Sequence, residues 1–126
     1  MEINAIKCKE VMQRLEDNPV YPSPIFFTNN AVLHGEVEPV LCDNETIYQC
    51  IQLNSAGLIV GELIKSESEY QIFRADHLTS LGHDILDKLN DNSVWTKIKD
   101  KLATIRSIAE FINILRPIFP PGWLAF

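Results

Sequence analysis

Several ingredients are scarce in this 126-residue chain, and each scarcity removes a class of function. Cysteine occurs three times, as Cys8, Cys42 and Cys50, with no close pair among them. An odd, widely spaced set fits neither a disulfide framework nor a zinc site, and it favours a reduced, cytoplasmic compartment. Glycine occurs five times, at Gly35, Gly57, Gly61, Gly82 and Gly122, too scattered to build a phosphate-binding loop. Positive charge is in deficit. The formal net charge is −6, which argues against general affinity for a phosphate backbone, because that affinity comes from Lys and Arg displacing counterions.

Long hydrophobic runs are missing as well. The start, "MEINAIKCKEVMQRLED", has no uninterrupted apolar segment of the signal-peptide kind. The most apolar stretch, "LATIRSIAEFINILRPIF", is cut by Arg106, Glu110 and Arg116, so no transmembrane segment is expected. What remains is ordinary globular composition, 46% hydrophobic and 22% charged. That is enough for one core without metal or disulfide support.

Along the chain the pattern changes several times. Ala5, Cys8, Met12 and Leu15 recur at steps of three and four, predicting a helix over 4–17 that Asn18-Pro19 stops. Four prolines between 19 and 41 argue against a long helix there. "IFFT-NN-AVLH" has the form of a short hairpin around Asn29-Asn30. Asp43 is a good N-cap for a second helix carrying Ile47, Cys50 and Ile51, and Gly57 can stop it. "LIVGELI", "KSESE" and "YQIFR" read as a β-hairpin near 58–75 with a polar tip. Thr79 or Ser80 then caps a helix bearing Leu81, Ile85, Leu86 and Leu89, and "NDNS" breaks it. Ser93 can cap a last helix, Val94 to Leu115, roughly 33 Å long at 1.5 Å per residue. The apolar tail "PIFPPGWLAF" follows.

The order helix, extended segment, helix, hairpin, helix resembles a winged-helix domain. "DNETIYQCIQLNSAGLIVGE" is similar to the recognition helix of that fold and its entry into the wing. "FRADHLTSLGHDILDKL" is similar to the end of a wing and the helix after it. The run "HLTSLGHDILDKLNDNSVWTKIKDKL", with Leu78, Thr79, Gly82, His83, Val94, Trp95 and Lys99, resembles a bacterial and phage family known as domain of unknown function 2513. The similarity covers roughly residues 1–102. It implies a winged-helix fold and a phage, prophage or mobile-element setting, and it supplies no catalytic residues. The expected fold class is α+β: a winged-helix core over 1–92, then a C-terminal helix and aromatic tail over 93–126.

Candidate chemistry is sparse. His77 and His83 are six residues apart, which does not put them on one helix face, and no zinc-protease pattern surrounds them. Ser80, His83 and Asp84 sit too close in sequence on one short helix for a triad. The expectation is therefore no enzyme, no metal and no cofactor. Gly82 lies one turn into a helix, where glycine costs about 1 kcal/mol relative to alanine. Its presence points to another segment passing too close for a side chain. Trp95 is expected to pack the last helix back on the core.

Two kinds of partner compete. A DNA-reading winged helix would offer Asn44, Gln49 and Gln52 to base edges and Lys65 to phosphate. Yet Asp43 and Glu45 stand at the leading end of that helix, which contains no Lys or Arg. The basic residues Lys97, Lys99, Lys101 and Arg106 lie on the last helix instead. A protein partner or self-association would use residues 94–126. Ile105, Ile108, Phe111, Ile112 and Leu115 form a broad stripe, and Phe119, Trp123 and Phe126 supply aromatic anchors. In the plainer reading, this segment folds back and completes its own core. A membrane-surface role for the basic amphipathic helix is a third option. The favoured expectation is a non-enzymatic interaction or adapter module, with a dimeric DNA-binding regulator as the alternative.

Overall fold

The computed structural model describes residues 2–18, 21–29, 40–67 and 70–119, with the side chains of 65–67 and 70 excepted. Among these, five α-helices and a four-stranded mixed sheet form an α+β fold. Helix α1 (Ala5–Glu16) begins at Asn4, whose side chain accepts a hydrogen bond from the Lys7 amide. Its buried face is Ala5, Cys8, Val11, Met12 and Leu15, the three- and four-residue rhythm legible in the sequence.

Strand β1 (Ile25–Thr28) pairs in parallel with β2 (Val40–Leu41), Phe27 opposite Val40. The second arm of the expected "IFFT-NN-AVLH" hairpin lies outside the described residues. Helix α2 (Asn44–Ser55) is capped by Asp43, which accepts from both the amide and the hydroxyl of Thr46. Gly57, at φ 76°, takes the left-handed conformation just after it. Strands β3 (Ile59–Glu67) and β4 (Tyr70–Leu78) form the expected hairpin, and β4 also pairs antiparallel with β1. The sheet order is β2-β1-β4-β3.

Helix α3 (Ser80–Leu89) starts from Thr79, whose hydroxyl accepts from the Gly82 amide. The same hydroxyl donates toward the carbonyl oxygens of Gly57 and Leu58, while the Thr79 amide donates to Leu58. These bonds clamp the entry to α3 against the chain entering β3. A Cβ on Gly82 would overlap the carbonyl oxygen of Leu58. The close approach expected from the sequence is real, and the approaching segment is the backbone leading into the hairpin.

The single helix expected over 94–115 is not formed. Helix α4 (Asn92–Leu102) ends at Ala103, and α5 (Ile108–Leu115) starts afresh, followed by a 3-10 turn over Arg116–Ile118. Two local competitors interrupt the hydrophobic rhythm. The Thr104 hydroxyl donates back to the Lys101 carbonyl. Ser107 accepts from the Glu110 amide and Ser107 Oγ lies 3.4 Å from the Glu110 carboxylate, the first and fourth positions of a capping box. The carbonyl of Arg106 in the break accepts from the Ile3 amide, which ties it to the N-terminus. Asp91, not Ser93, caps α4: its carboxylate accepts from the Ser93 amide and hydroxyl and from the Val94 amide.

One hydrophobic cluster joins all of this. It contains Met12, Phe27, Ile47, Leu53 and Phe73, and equally Ile98, Leu102, Ile105, Phe111, Ile112 and Leu115.

Candidate functional site

Helix α2 is the first surface to test, because the sequence points to it as a reader of DNA. Asn44 is exposed and Gln52 is half-buried. Gln49 is fully buried. Its carbonyl accepts from the Asn4 amide at 2.8 Å and from the Cys8 thiol at 3.4 Å, and its amide donates to the carbonyls of Glu2 and Glu45. The side chain is a polar bolt between α2 and the N-terminal segment and cannot reach a base. The side chain of Lys65 lies outside the described residues. At the front of α2, Lys7 of α1 contacts the carboxylates of Asp43 at 2.6 Å and Glu45 at 3.6 Å. The hydrogen bond from Lys7 and those from Thr46 hold the Asp43 carboxyl well below the usual carboxylate range. The Asp43 contact in turn raises the pKa of Lys7.

The polar bolt carries a measurable consequence. Replacing Gln49 with Leu takes this partner from the Asn4 amide and the Glu2 carbonyl, both in part-buried hydrogen bonds. We expect Gln49→Leu to lower unfolding free energy by about 2 kcal/mol in urea titration. A stability equal to that of the wild type would mean that the four contacts contribute nothing.

The C-terminal stripe is the second surface. Ile105, Phe111, Ile112, Leu115 and Phe119 are all buried against the chain's own core, and Ile108 is half-buried. Trp123 and Phe126 lie outside the described residues. The reason the stripe turns inward is the break at 103–107, which redirects α5 so that its apolar face closes over the core. Periodicity measures how wide an apolar face is. It carries no information about whether the facing surface belongs to the same chain.

The histidines are not brought together as a site. His77 is exposed, with Nδ1 2.7 Å from the Leu78 carbonyl. His83 places Nδ1 2.7 Å from the Glu16 carboxylate of α1, and that hydrogen bond raises its pKa. Among the described residues no group of three or more His, Cys, Asp or Glu side chains could hold a metal ion. Burial pushes the Cys8 thiol up to about 12 and raises Cys50 further still; Cys42, half-buried, is pushed to about 11. Thiols of that kind are poor nucleophiles at neutral pH.

A third surface was not anticipated. A groove of about 560 Å³ runs between the start of α1 and α4, lined by Ile3, Asn4, Ala5 and Ile6 on one side and by Trp95, Lys99, Asp100, Leu102 and Ala103 on the other. Ile6 is 59% exposed at its rim. The ammonium of Lys9 sits 4.3 Å from the centre of the Trp95 ring. The sequence signal was present in the odd apolar residue Ile6, which falls off the buried face of α1. A smaller groove of about 350 Å³, between α1 and the start of α2, includes Arg14, Cys42 and exposed Leu41.

The family model described as hypothetical protein (DUF2513) matches residues 7–109. The chain belongs to that family. The DUF2513 match runs from the first turn of α1 into the first turn of α5 and so takes in the sheet, Gly82 and the whole of α4. It extends a few residues further than the sequence resemblance, which stopped near 102. No curated protein matches the chain, and no solved structure does.

Proposed function

We propose that this chain is a winged-helix variant that works as a non-enzymatic protein-interaction module, in the phage, prophage or mobile-element setting that its resemblance implies. The winged-helix reading is supported by topology. Strands β1, β4 and β3 are antiparallel neighbours, α1 precedes β1, and α2 immediately precedes the β3–β4 hairpin. That arrangement supports reading α2 as the counterpart of a recognition helix.

The observation that carries the choice of partner is the front of α2. A recognition helix usually presents its N-terminal residues to the groove. Here those residues are Asp43 and Glu45, the Lys7 ammonium is already engaged by both, and Gln49 is sealed in the core. Bringing this end to a phosphate backbone sets like charges against each other. The decisive experiment measures binding of labelled duplex DNA, both random and from the native host, at about 150 mM salt, where specific regulators bind in the nanomolar range or tighter. The expected result is no sequence-dependent binding below about 10 µM, alongside recovery of a protein partner. A sub-micromolar, sequence-dependent shift lost in Gln52→Ala overturns the reading.

The DNA-binding regulator is the second reading, and it rests on a specific observation. Asn44 is exposed, and Lys97, Lys99 and Lys101 are all exposed along α4. A protein that touched DNA through α4 and not α2 would show a steep salt dependence with little sequence preference.

A further inference from the structure

We propose that His83 and Glu16 form a proton-sensitive latch that fastens the end of α1 to the start of α3 and holds tighter when the imidazole carries a proton. The latch goes beyond the interaction-module reading and does not depend on it. The two helices pack against each other. Along their exposed seam, Asn90 Nδ2 donates to Gln13 Oε1 at 2.8 Å, and His83 Nδ1 lies 2.7 Å from Glu16 Oε2. The first contact joins two neutral amides and does not respond to pH near neutrality. The second does. A neutral imidazole has one N–H and must place it on one nitrogen, whereas the protonated ring donates from both. It then holds Glu16 through Nδ1 as a charge-assisted pair while Nε2 faces Asp87, 4.0 Å away.

Placement gives the proton its leverage. The first turn of α3 is pinned next to His83: Gly82 abuts the Leu58 carbonyl, and the Thr79 hydroxyl is bonded to Gly57 and Leu58. The side that can respond is the last turn of α1. It ends in Glu16 and Asp17, two carboxylates at the negative end of a helix, with Arg14 as the basic residue of that turn. A cation brought there from another element offsets the repulsion.

The charges around the ring are mostly acids. Glu16 of α1 acts on it most, followed by Asp87 and Asp84 of its own helix. Asp17 accepts from the Gln13 amide. On the other elements packed against α3, Asp76 of β4 is paired with Arg74, and Asp91 at the head of α4 is turned to the amides of Ser93 and Val94. The start of α3 is the positive end of a helix and works against a proton on His83, but the nearby carboxylates oppose it. The net direction is a raised pKa. The latch therefore stabilises the fold fully below the ordinary histidine value of 6.5 and weakens as pH rises through the raised value. The His83 and Glu16 side chains are 47% and 37% exposed, so solvent screening keeps the effect modest.

The experiment uses the full chain. Side-chain NMR follows the titration of the His83 ring, assigned by its loss in His83→Gln. The ring should titrate above 6.5 in the wild type and fall back toward that value in Glu16→Gln. Titration at or below 6.5 in the wild type, or an unchanged value in Glu16→Gln, overturns the latch. Amide hydrogen exchange then asks whether the proton fastens the helix, which a raised pKa alone would not do. Compared with the wild type at the same pH, His83→Gln should lower protection of the Leu15, Glu16 and Asp17 amides about twofold to fivefold at about pH 5.5, and by clearly less at about pH 8. Asn90→Ala removes the neighbouring neutral contact, and its effect should be the same at both pH values. No effect of His83→Gln at either pH, or the same effect at both, overturns the proposal.

Discussion

Gly82→Ala should destabilise the protein by about 3 kcal/mol or more, against the direction that helix propensity predicts. In an unencumbered helix interior the same change gains about 1 kcal/mol. Here the new methyl group would occupy the position of the Leu58 carbonyl oxygen. That oxygen cannot simply move aside, because it accepts from the Thr79 amide and from the Thr79 hydroxyl. Either α3 withdraws from the start of β3 or both bonds break, and the cap of α3 goes with them. For a chain of this size the melting temperature should fall by roughly 10 °C or more. Gly57→Ala is the natural control. Its Cβ meets nothing within 4 Å, so only the positive φ is paid for, at about 1 kcal/mol. Equal effects of the two substitutions in urea titration would show that the Leu58 contact is not what requires glycine at 82.

The second large effect is expected at Phe111. This ring is fully buried where α5 closes over the core. Truncation to alanine removes the transfer energy of the ring and leaves a cavity, together costing about 3–5 kcal/mol. A 126-residue domain with ordinary stability of about 5–15 kcal/mol would be badly weakened by such a loss. The measurement separates the two readings of the C-terminal stripe. If Phe111 is core, Phe111→Ala lowers the unfolding midpoint and leaves association unchanged. If the stripe were a partner surface, the variant would keep its stability and lose a partner or assembly mass.

The same residue marks how far the sequence can be read. Local signals were reliable where one short segment contained all the physics. Asp43 and Thr79 accept amides at the N-termini of α2 and α3, as their places in the sequence predict. Gly57 stops the chain after α2, and the two β-rich runs pair as β3 and β4, because a helix stop and a strand pattern are properties of neighbouring residues. The break between α4 and α5 was also written locally, in Ser107, which caps α5 by accepting from the Glu110 amide. The continuous apolar rhythm from Ile98 to Ile112 masked it, since a stripe that resumes in phase looks uninterrupted.

Gln49 failed for a different reason. A glutamine in the middle of a candidate recognition helix has the right chemistry for an adenine edge, and nothing in its neighbours says which way the helix is turned. Only the packing of α2 against the N-terminal segment decided that it faces inward, onto the Asn4 amide and the Glu2 carbonyl. His83 behaves similarly: its partner Glu16 is 67 positions away on α1, so no local rule could pair them.

By itself, then, the sequence determined the α+β class, the caps of α2 and α3, the stop after α2, and the need for glycine at position 82. These depend on backbone conformation and short-range hydrogen bonding, which adjacent residues control. Tertiary structure alone decided which apolar surfaces remain outside. Phe111 and Ile112 were turned into the core, Ile6 was left at the rim of a groove, and Trp95 was set beneath Lys9. Burial is a relation between distant segments, and hydrophobicity along a chain records only that a face must be covered, not what covers it.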